Sequence, residues 1–454
     1  MTGTTGAATG VVLEIPQGRL RGVTDGGAPG VPGVTAFRGI PYAAPPVGPL
    51  RFRPPAAPPG WRGVRDATRP GPSVPQGPGR LAGVMGDRAP DGDEAGCLHL
   101  TVWTPAGAAD RPRPVLLWFH GGGFSSGSSG WDWYDGARLA AAGDVVVVSA
   151  NYRLGPLGYL RLPELGADNL GSRDQAAALR WVRDTVGSFG GDPARITVGG
   201  QSAGAYSALA LALDPETGPL VHRLVLQSGP WNLLPQRPED ADRAADHFLA
   251  ALGLARGAGL AEALSEVPVP RLLDAYARVA TELARPRDAS PPLHPVLGGA
   301  GHRTAWPTAL AAGALAGKGV LVGSTEHEAT AFLGPEAPAE LVAGVTRSAF
   351  GEGVETLARA CAAHGTPAHV YRFARASTGV PGLGAPHCAD LPFAFDRLDA
   401  YAKAPMLGPV DARDRELARA FSGALAAFTA TGDPGWPAYL PDTAPPYVRR
   451  FARD

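Results

Sequence analysis

Six short apolar runs constrain this chain more than any other feature. "VLLWF" (115–119), "VVVVSA" (145–150), "ITVGG" (196–200), "LVLQSG" (224–229), "GVLVGS" (319–324) and "VYRF" (370–373) show almost no polar alternation. That is the pattern of strands covered on both faces. Between two of them, "DNLGSRDQAAALRWVRDTVGSFGGDP" sets Leu179, Val182, Val186 and Phe189 on one helical stripe and stops at Gly190-Gly191. Strands alternating with amphipathic helices specify an α/β chain, a mostly parallel twisted sheet with helices on both faces. Near the start, "VVLEIPQGRLRGV" reads as a small antiparallel hairpin turned at Gln17-Gly18. Residues 75–95, rich in Gly, Pro and Asp, and 284–306, rich in Pro, Gly and His, read as surface loops around a site mouth.

Composition excludes several functions. The 454 residues are 44% hydrophobic and 18% charged, enough apolar material for a sizeable core. A formal charge of −1 without a basic run leaves nothing to track a phosphate backbone or an anionic membrane, so neither nucleic acid nor membrane is an expected partner. The opening "MTGTTGAATGVVLEIPQG" lacks a basic segment followed by a long apolar one, and no stretch stays apolar for about 18 residues, so the expected location is cytoplasmic. Cys97, Cys361 and Cys388 are too scattered for a disulfide framework or a C-x-x-C metal site. No metal or organic cofactor is expected, and the oligomeric state is not legible.

The chemistry centres on "RITVGGQSAGAYSALALAL". A G-x-S-x-G match alone carries little weight in a chain with 62 glycines. Here an apolar strand directly precedes Ser202 and an Ala- and Leu-rich helix follows it, the strand–turn–helix of a nucleophile elbow. Gly200 and Gly204 then have a steric task, because a strained turn brings backbone too close for side chains. "WFHGGGFSSGSS" follows the run 115–119 and offers Gly122 and Gly123, with Ala203 after the serine, as backbone donors to a developing oxyanion. Ten histidines are candidate bases. His387, in "GAPHCADLPFAFD", lies late in the chain as the order Ser, acid, His requires, with His364 and His369 as rivals. Glu326 and Glu328, in "VLVGSTEHEATAF", are equal candidates for the acid. Phe124, Gln201 and Trp231 are substrate-pocket candidates, although aromatics are more often plain core.

Ten ordered blocks resemble the type B carboxylesterase family, the cholinesterase-like branch of the α/β-hydrolases that includes para-nitrobenzyl-esterase-like bacterial members. They are "FRGIPYAAPPVGPLRFRPP", "CLHLTVWTP", "HGGGFSSGSS", "NYRLGPLGYL", "DNLGSRDQAAALRWV", "FGGDPARITVGGQSAGA", "LVLQSG", "VGSTEHEATAF", "HCADLPFAF" and "TGDPGWPAY". The resemblance implies an α/β-hydrolase fold over residues 1–454 as a single domain, with irregular insertions near 75–95 and 230–306 forming a reduced cap. It implies Ser202 as nucleophile, His387 as base, Glu328 as acid, and Gly122, Gly123 and Ala203 as oxyanion donors. Glu328 is preferred over Glu326 because the family's glutamate stands five places after the strand-end glycine, here Gly323.

The departures from the family pattern are local. Gln201 stands where the family usually has Glu before the serine, and Asp390 stands where it has Glu after the histidine. In relatives those carboxylates join a serine matching Ser228 in one network behind the triad. Ser73 and Cys97 occupy the positions of an N-terminal loop disulfide, Ala95-Gly96 replace an acidic pair, and Ala329 replaces a common Gly. The implied function is a serine carboxylesterase acting on small-molecule esters through an acyl-enzyme. An acyltransferase or cyclase using the same triad is an alternative, and a non-catalytic binding module is a third reading that intact Ser202, Glu328 and His387 oppose.

Overall fold

A computed structural model describes residues 9–25, 33–88, 91–107, 110–284 and 290–453. The opening residues 1–8, and parts of both expected loops (89–90 and 285–289), lie outside the described residues. Among the described residues, twelve strands form one sheet: β1 (Thr9–Ile15), β2 (Gly18–Asp25), β3 (Val34–Pro41), β4 (Val64–Asp66), β5 (His99–Pro105), β6 (Arg113–Phe119), β7 (Val146–Ala150), β8 (Gly191–Gln201), β9 (Arg223–Gln227), β10 (Gly319–Thr325), β11 (His369–Phe373) and β12 (Arg449–Phe451). Their spatial order is β1-β2-β3-β5-β7-β6-β8-β9-β10-β11-β12, with β4 beside β2. Every pairing from β7 through β12 is parallel, whereas β1 to β3, β5 and the β5–β7 contact are antiparallel. All six apolar runs are strands of the parallel part.

The N-terminal hairpin is the edge of this same sheet, joined through β2 and β3. Its register pairs Ile15 with Gly18, so the turn is Pro16-Gln17, one residue earlier than expected. Gly18 opens β2 instead, where a Cβ would lie 2.6 Å from the Trp61 indole.

The absence of polar alternation in the strands has a direct structural cause. In β6, Val115, Leu117 and Phe119 face one core and Leu116 and Trp118 the other; in β7, Val146 and Val148 oppose Val147. On the first face lie helices Leu170–Thr185 and Ala203–Leu213, and on the second Ala412–Thr431. The predicted stripe Leu179, Val182, Val186, Phe189 is buried throughout, and the chain leaves it at Gly190 with φ +78°.

The stretch 230–306, expected to be irregular, contains helices Pro238–Leu252, Leu260–Glu266 and Val269–Glu282. Each has its own apolar stripe: Ala241, Ala244, Ala245, Phe248 and Leu252 in the first, Leu272, Ala275 and Val279 in the third. Proline at the start of the first and third helices marks their entry, because a missing N–H costs nothing there. The 75–95 stretch is largely irregular, with one turn of helix at Ala82–Met85.

The loops carrying the site are fixed by a buried ion pair. Arg153, just past β7, donates through Nε and Nη2 to the Asp174 carboxylate at 2.8 and 2.7 Å, while its backbone N–H also reaches Asp174 at 3.0 Å. The same loop holds residues 120–129, with the Tyr152 hydroxyl donating to the His120 carbonyl and the Gly155 N–H to the Phe124 carbonyl. Removing one partner strands the other charge in the interior, which costs several kcal/mol. Asp174→Asn is expected to lower unfolding free energy in urea by about 3–5 kcal/mol; a loss below about 1 kcal/mol would contradict this anchoring role.

Candidate active site

β8 ends at Gln201, and the chain turns at Ser202 into the helix Ala203–Leu213. Ser202 has φ +57° and ψ −124°, a conformation costing roughly 1–3 kcal/mol that surrounding contacts must hold. The Ser202 N–H donates to the Gln227 carbonyl at 2.8 Å. A Cβ on Gly204 would stand 2.0 Å from the Phe119 carbonyl oxygen, and one on Gly200 would stand 2.3 Å from the Gly204 carbonyl carbon. The steric reading of both glycines thus has a measured basis: helix, serine turn and the end of β6 share a space without room for side chains.

After β6, Gly122 and Gly123 have φ +113° and +61°, and a Cβ on Gly122 would fall 2.0 Å from the Ser126 carbonyl oxygen. Among the described residues, the N–H groups of Gly122, Gly123 and Ala203 donate to no protein acceptor. His120, at the head of this loop, is stacked on Tyr152 and hydrogen-bonded through Nδ1 to the Gly121 carbonyl at 2.7 Å. Burial pushes it down to about 4, which leaves it neutral and structural.

The rival histidines and glutamates separate cleanly. His387 Nδ1 donates to Glu328 Oε2 at 2.6 Å, and Glu328 Oε1 accepts the Thr325 N–H at 2.7 Å, with both side chains buried. Glu326 instead pairs with Arg450 at 3.1 Å near the sheet edge. His369 opens β11 and bonds the Trp436 carbonyl, while His364 caps the helix Glu352–Ala363. Burial opposes a charge on His387, but the neighbouring Cys388 sulfur as an acceptor and the Glu328 carboxylate outweigh it and hold the imidazole well above its ordinary value.

Gln201 departs from the expected arrangement. Its amide Nε2 lies 3.2 Å from His387 Nε2 and donates to it when the ring is neutral with its proton on Nδ1, facing Glu328. Ser202 Oγ makes no hydrogen bond to the ring in this geometry, and such contacts often close only around substrate. The network expected from Gln201 through Ser228 to Asp390 is not formed. Asp390 Oδ2 accepts from the Tyr371 hydroxyl at 3.0 Å, whereas Ser228 Oγ and Asp390 Oδ1 are buried without a protein partner. Burial and the nearby Glu328 charge push Asp390 up to about 7.

One cavity of about 110 Å³ brings Ser202, His387, Gly122, Gly123 and Gln201 together. Phe124 and Trp231 are not on its wall. Phe124 packs on Tyr159 and Tyr206, and Trp231 on Trp306, so both are core. Residues the sequence reading missed include Arg80, Met85, Trp131, Trp133 and Phe332. They lie in loops and short turns without periodicity, and the only available signal was their closeness to the oxyanion loop and to Glu328. Cys97 is a buried free thiol donating to the Glu94 carbonyl, and Ser73 is tied to Asp91 and Asp93 through its backbone. Arg51 clamps this region, bonding Glu94 and the carbonyls of Leu264, Ser265 and Val267. Among the described residues, no cluster of three or more His, Cys, Asp or Glu could hold a metal ion, and no helix is long and apolar enough to cross a membrane.

Two titrations follow from this geometry. Gln201→Glu places a negative charge beside His387 Nε2 and favours the imidazolium, so the acid limb of kcat/KM is expected to move up by about one pH unit. An unmoved or lowered limb in the pH–rate profile would refute the contact. Asp390 has a folded pKa above the unfolded value of about 3.9, so its stabilising contribution is lost as pH rises from about 4 through 7. Asp390→Asn should therefore raise Tm more at pH 8 than at pH 5 in calorimetry.

Comparison with known proteins fits this architecture. Residues 9–342 match the model of the carboxylesterase family. The chain is 36% identical to a probable N-octanoylanthranilate hydrolase of Rhodococcus erythropolis over 94% of its own length and 95% of that protein. It is 32% identical to the para-nitrobenzyl esterase of Bacillus subtilis over 95% and 93%. The solved structure of a thermophilic para-nitrobenzyl esterase superposes with a TM-score of 0.87 at 30% identity, covering 98% of this chain and 97% of that one. This chain belongs to the carboxylesterase family, with an α/β-hydrolase fold and the activity of a carboxylic ester hydrolase on small-molecule esters.

Proposed function

We propose that hydrolysis runs through Ser202, His387 and Glu328, with an acyl-enzyme on the serine. The observation that carries this reading is the 2.6 Å contact between Glu328 and His387 Nδ1, which aims Nε2 of a buried ring toward the cavity that Ser202 lines. Substrate entry displaces the Gln201 amide from Nε2, and Ser202 passes its proton there as Oγ attacks the carbonyl carbon. Glu328 steadies the imidazolium, which protonates the departing alkoxide. The N–H groups of Gly122, Gly123 and Ala203 receive the oxyanion, and their glycine-dependent backbone is set before the reaction begins. A water deprotonated by His387 then releases the acid and restores the serine.

We further read residues 1–454 as one domain in which the insertions near 75–95 and 230–306 form a reduced cap, since Arg80 from the first and Pro291 from the second both lie beside Gly123 of the oxyanion loop. A cytoplasmic location is supported by three buried free thiols, with Ser73 standing at the position that the family resemblance pairs with Cys97.

The test is turnover of p-nitrophenyl esters together with labelling by a fluorophosphonate probe. Ser202→Ala is expected to lose labelling completely and turnover by at least about 10³-fold while keeping its melting temperature. Retained labelling in that variant would place the nucleophile elsewhere.

A further inference from the structure

Gln201 is 1% exposed, yet the described residues use only the nitrogen end of its carboxamide. With the His387 ring neutral and its proton on Nδ1, the amide Nε2 donates to the ring Nε2 at 3.2 Å. The amide oxygen accepts no hydrogen bond among the described residues. It lies against Gly121, where a Cβ would stand 2.7 Å from Oε1, so the missing side chain gives the oxygen its place. Gly121, Gln201, Ser202 and His387 all lie on the wall of the one cavity. A buried acceptor left without a donor is unfavourable, and here a substrate can supply the donor. His387 sets where that donor must be. The atom that leaves the carbonyl carbon takes its proton from His387 Nε2 and comes within hydrogen-bonding distance of it. The carboxamide already stands there, so once displaced from Nε2 it is the neighbour of the leaving atom. An ester's leaving oxygen has no hydrogen to offer Oε1, whereas the nitrogen of a secondary amide has one.

We propose that Gln201 is a specificity-determining residue that extends the reaction from esters to secondary carboxamides, its Oε1 accepting the N–H of the leaving amine. Ser202 Oγ attacks the amide carbon and gives its proton to His387 Nε2. As the C–N bond breaks, that proton passes to nitrogen and a neutral amine departs. Water deprotonated by His387 then splits the acyl-enzyme, so one amide and one water give one carboxylic acid and one amine. The amide N–H bond stays intact throughout. Protonation requires the nitrogen lone pair to face Nε2, and an acceptor on the N–H holds the nitrogen in that orientation, so the contact acts on kcat. Phe332, whose ring lies 5.4 Å from the imidazole, together with Met85, Trp131 and Trp133 gives the cavity an apolar wall that suits an aryl amine.

This proposal rests on the Ser202 hydrolase reading, and the experiment separates the two. 4-Nitrophenyl acetate and 4-nitroacetanilide share their acyl and aryl groups and differ only in O against N–H at the leaving atom. Turnover of the ester, abolished in Ser202→Ala, reports the hydrolase reading alone. The ratio of kcat/KM for the anilide to that for the ester reports Gln201. The native protein is expected to turn over both. Gln201→Met, of similar length but without an acceptor, lowers the ratio by about tenfold, chiefly through kcat of the anilide. Gln201→Glu, measured above its acid limb, keeps an acceptor and holds the ratio within about threefold of the native value. N-methyl-4-nitroacetanilide has no N–H, and the native protein is expected to turn it over at least about tenfold more slowly than 4-nitroacetanilide, a reading that does not depend on Gln201→Met folding. An ester-active native protein without anilide turnover, a ratio unchanged in Gln201→Met, or equal rates on the N-methyl form would overturn the proposal.

Discussion

The close approach of the helix Ala203–Leu213 to the carboxyl end of β6 is the constraint from which the rest of the site follows. It exists because Gly200 and Gly204 present no side chains where the Phe119 carbonyl comes within 2.0 Å of a would-be Cβ. That approach brings Ser202 up against the glycine loop after β6, so close that a Cβ on Gly121 would stand 3.1 Å from Ser202 Cβ. Strain at the serine turn is borne by a buried sheet whose strands are covered on both faces. A looser junction would let the serine relax and would separate it from the backbone donors it is set to use.

Burial then decides the electrostatics. Glu328 is buried and is committed to the Thr325 N–H and the His387 ring. His120, equally buried but without a carboxylate, is driven in the opposite direction and stays neutral. Desolvation and neighbouring groups therefore set His387 and His120 apart. Gln201 adds a neutral partner on the face of the imidazole opposite Glu328, and Asp390 sits behind with its own tyrosine.

Most of the fold was legible in the chain because the central strands of the parallel sheet are buried on both faces and so share one unmistakable composition. The Ser202 turn was legible for a related reason: steric exclusion leaves a mark as glycine. The helices at 238–282 were readable too, with Ala244, Phe248 and Leu252 at helical spacing, but surrounding Pro, Gly and Arg masked the stripe. Phe124 and Trp231 were misjudged as pocket because sequence position after a strand does not say which way a side chain points; both turn into the core.

What the sequence determined by itself was everything local or periodic: the apolar strands, the helical stripe, the glycines demanded by φ or by contact, and the chemical types available at the sheet's carboxyl edge. It could not choose between Glu326 and Glu328 from chemistry alone, nor show that Gln201 reaches His387, nor bring Arg80 beside Gly123. Those were decided only by tertiary structure. The first two rest on single directional contacts between residues 59 and 186 positions apart in the chain, and contacts of that kind leave no repeat or spacing in a sequence because each depends on where the whole sheet places its ends.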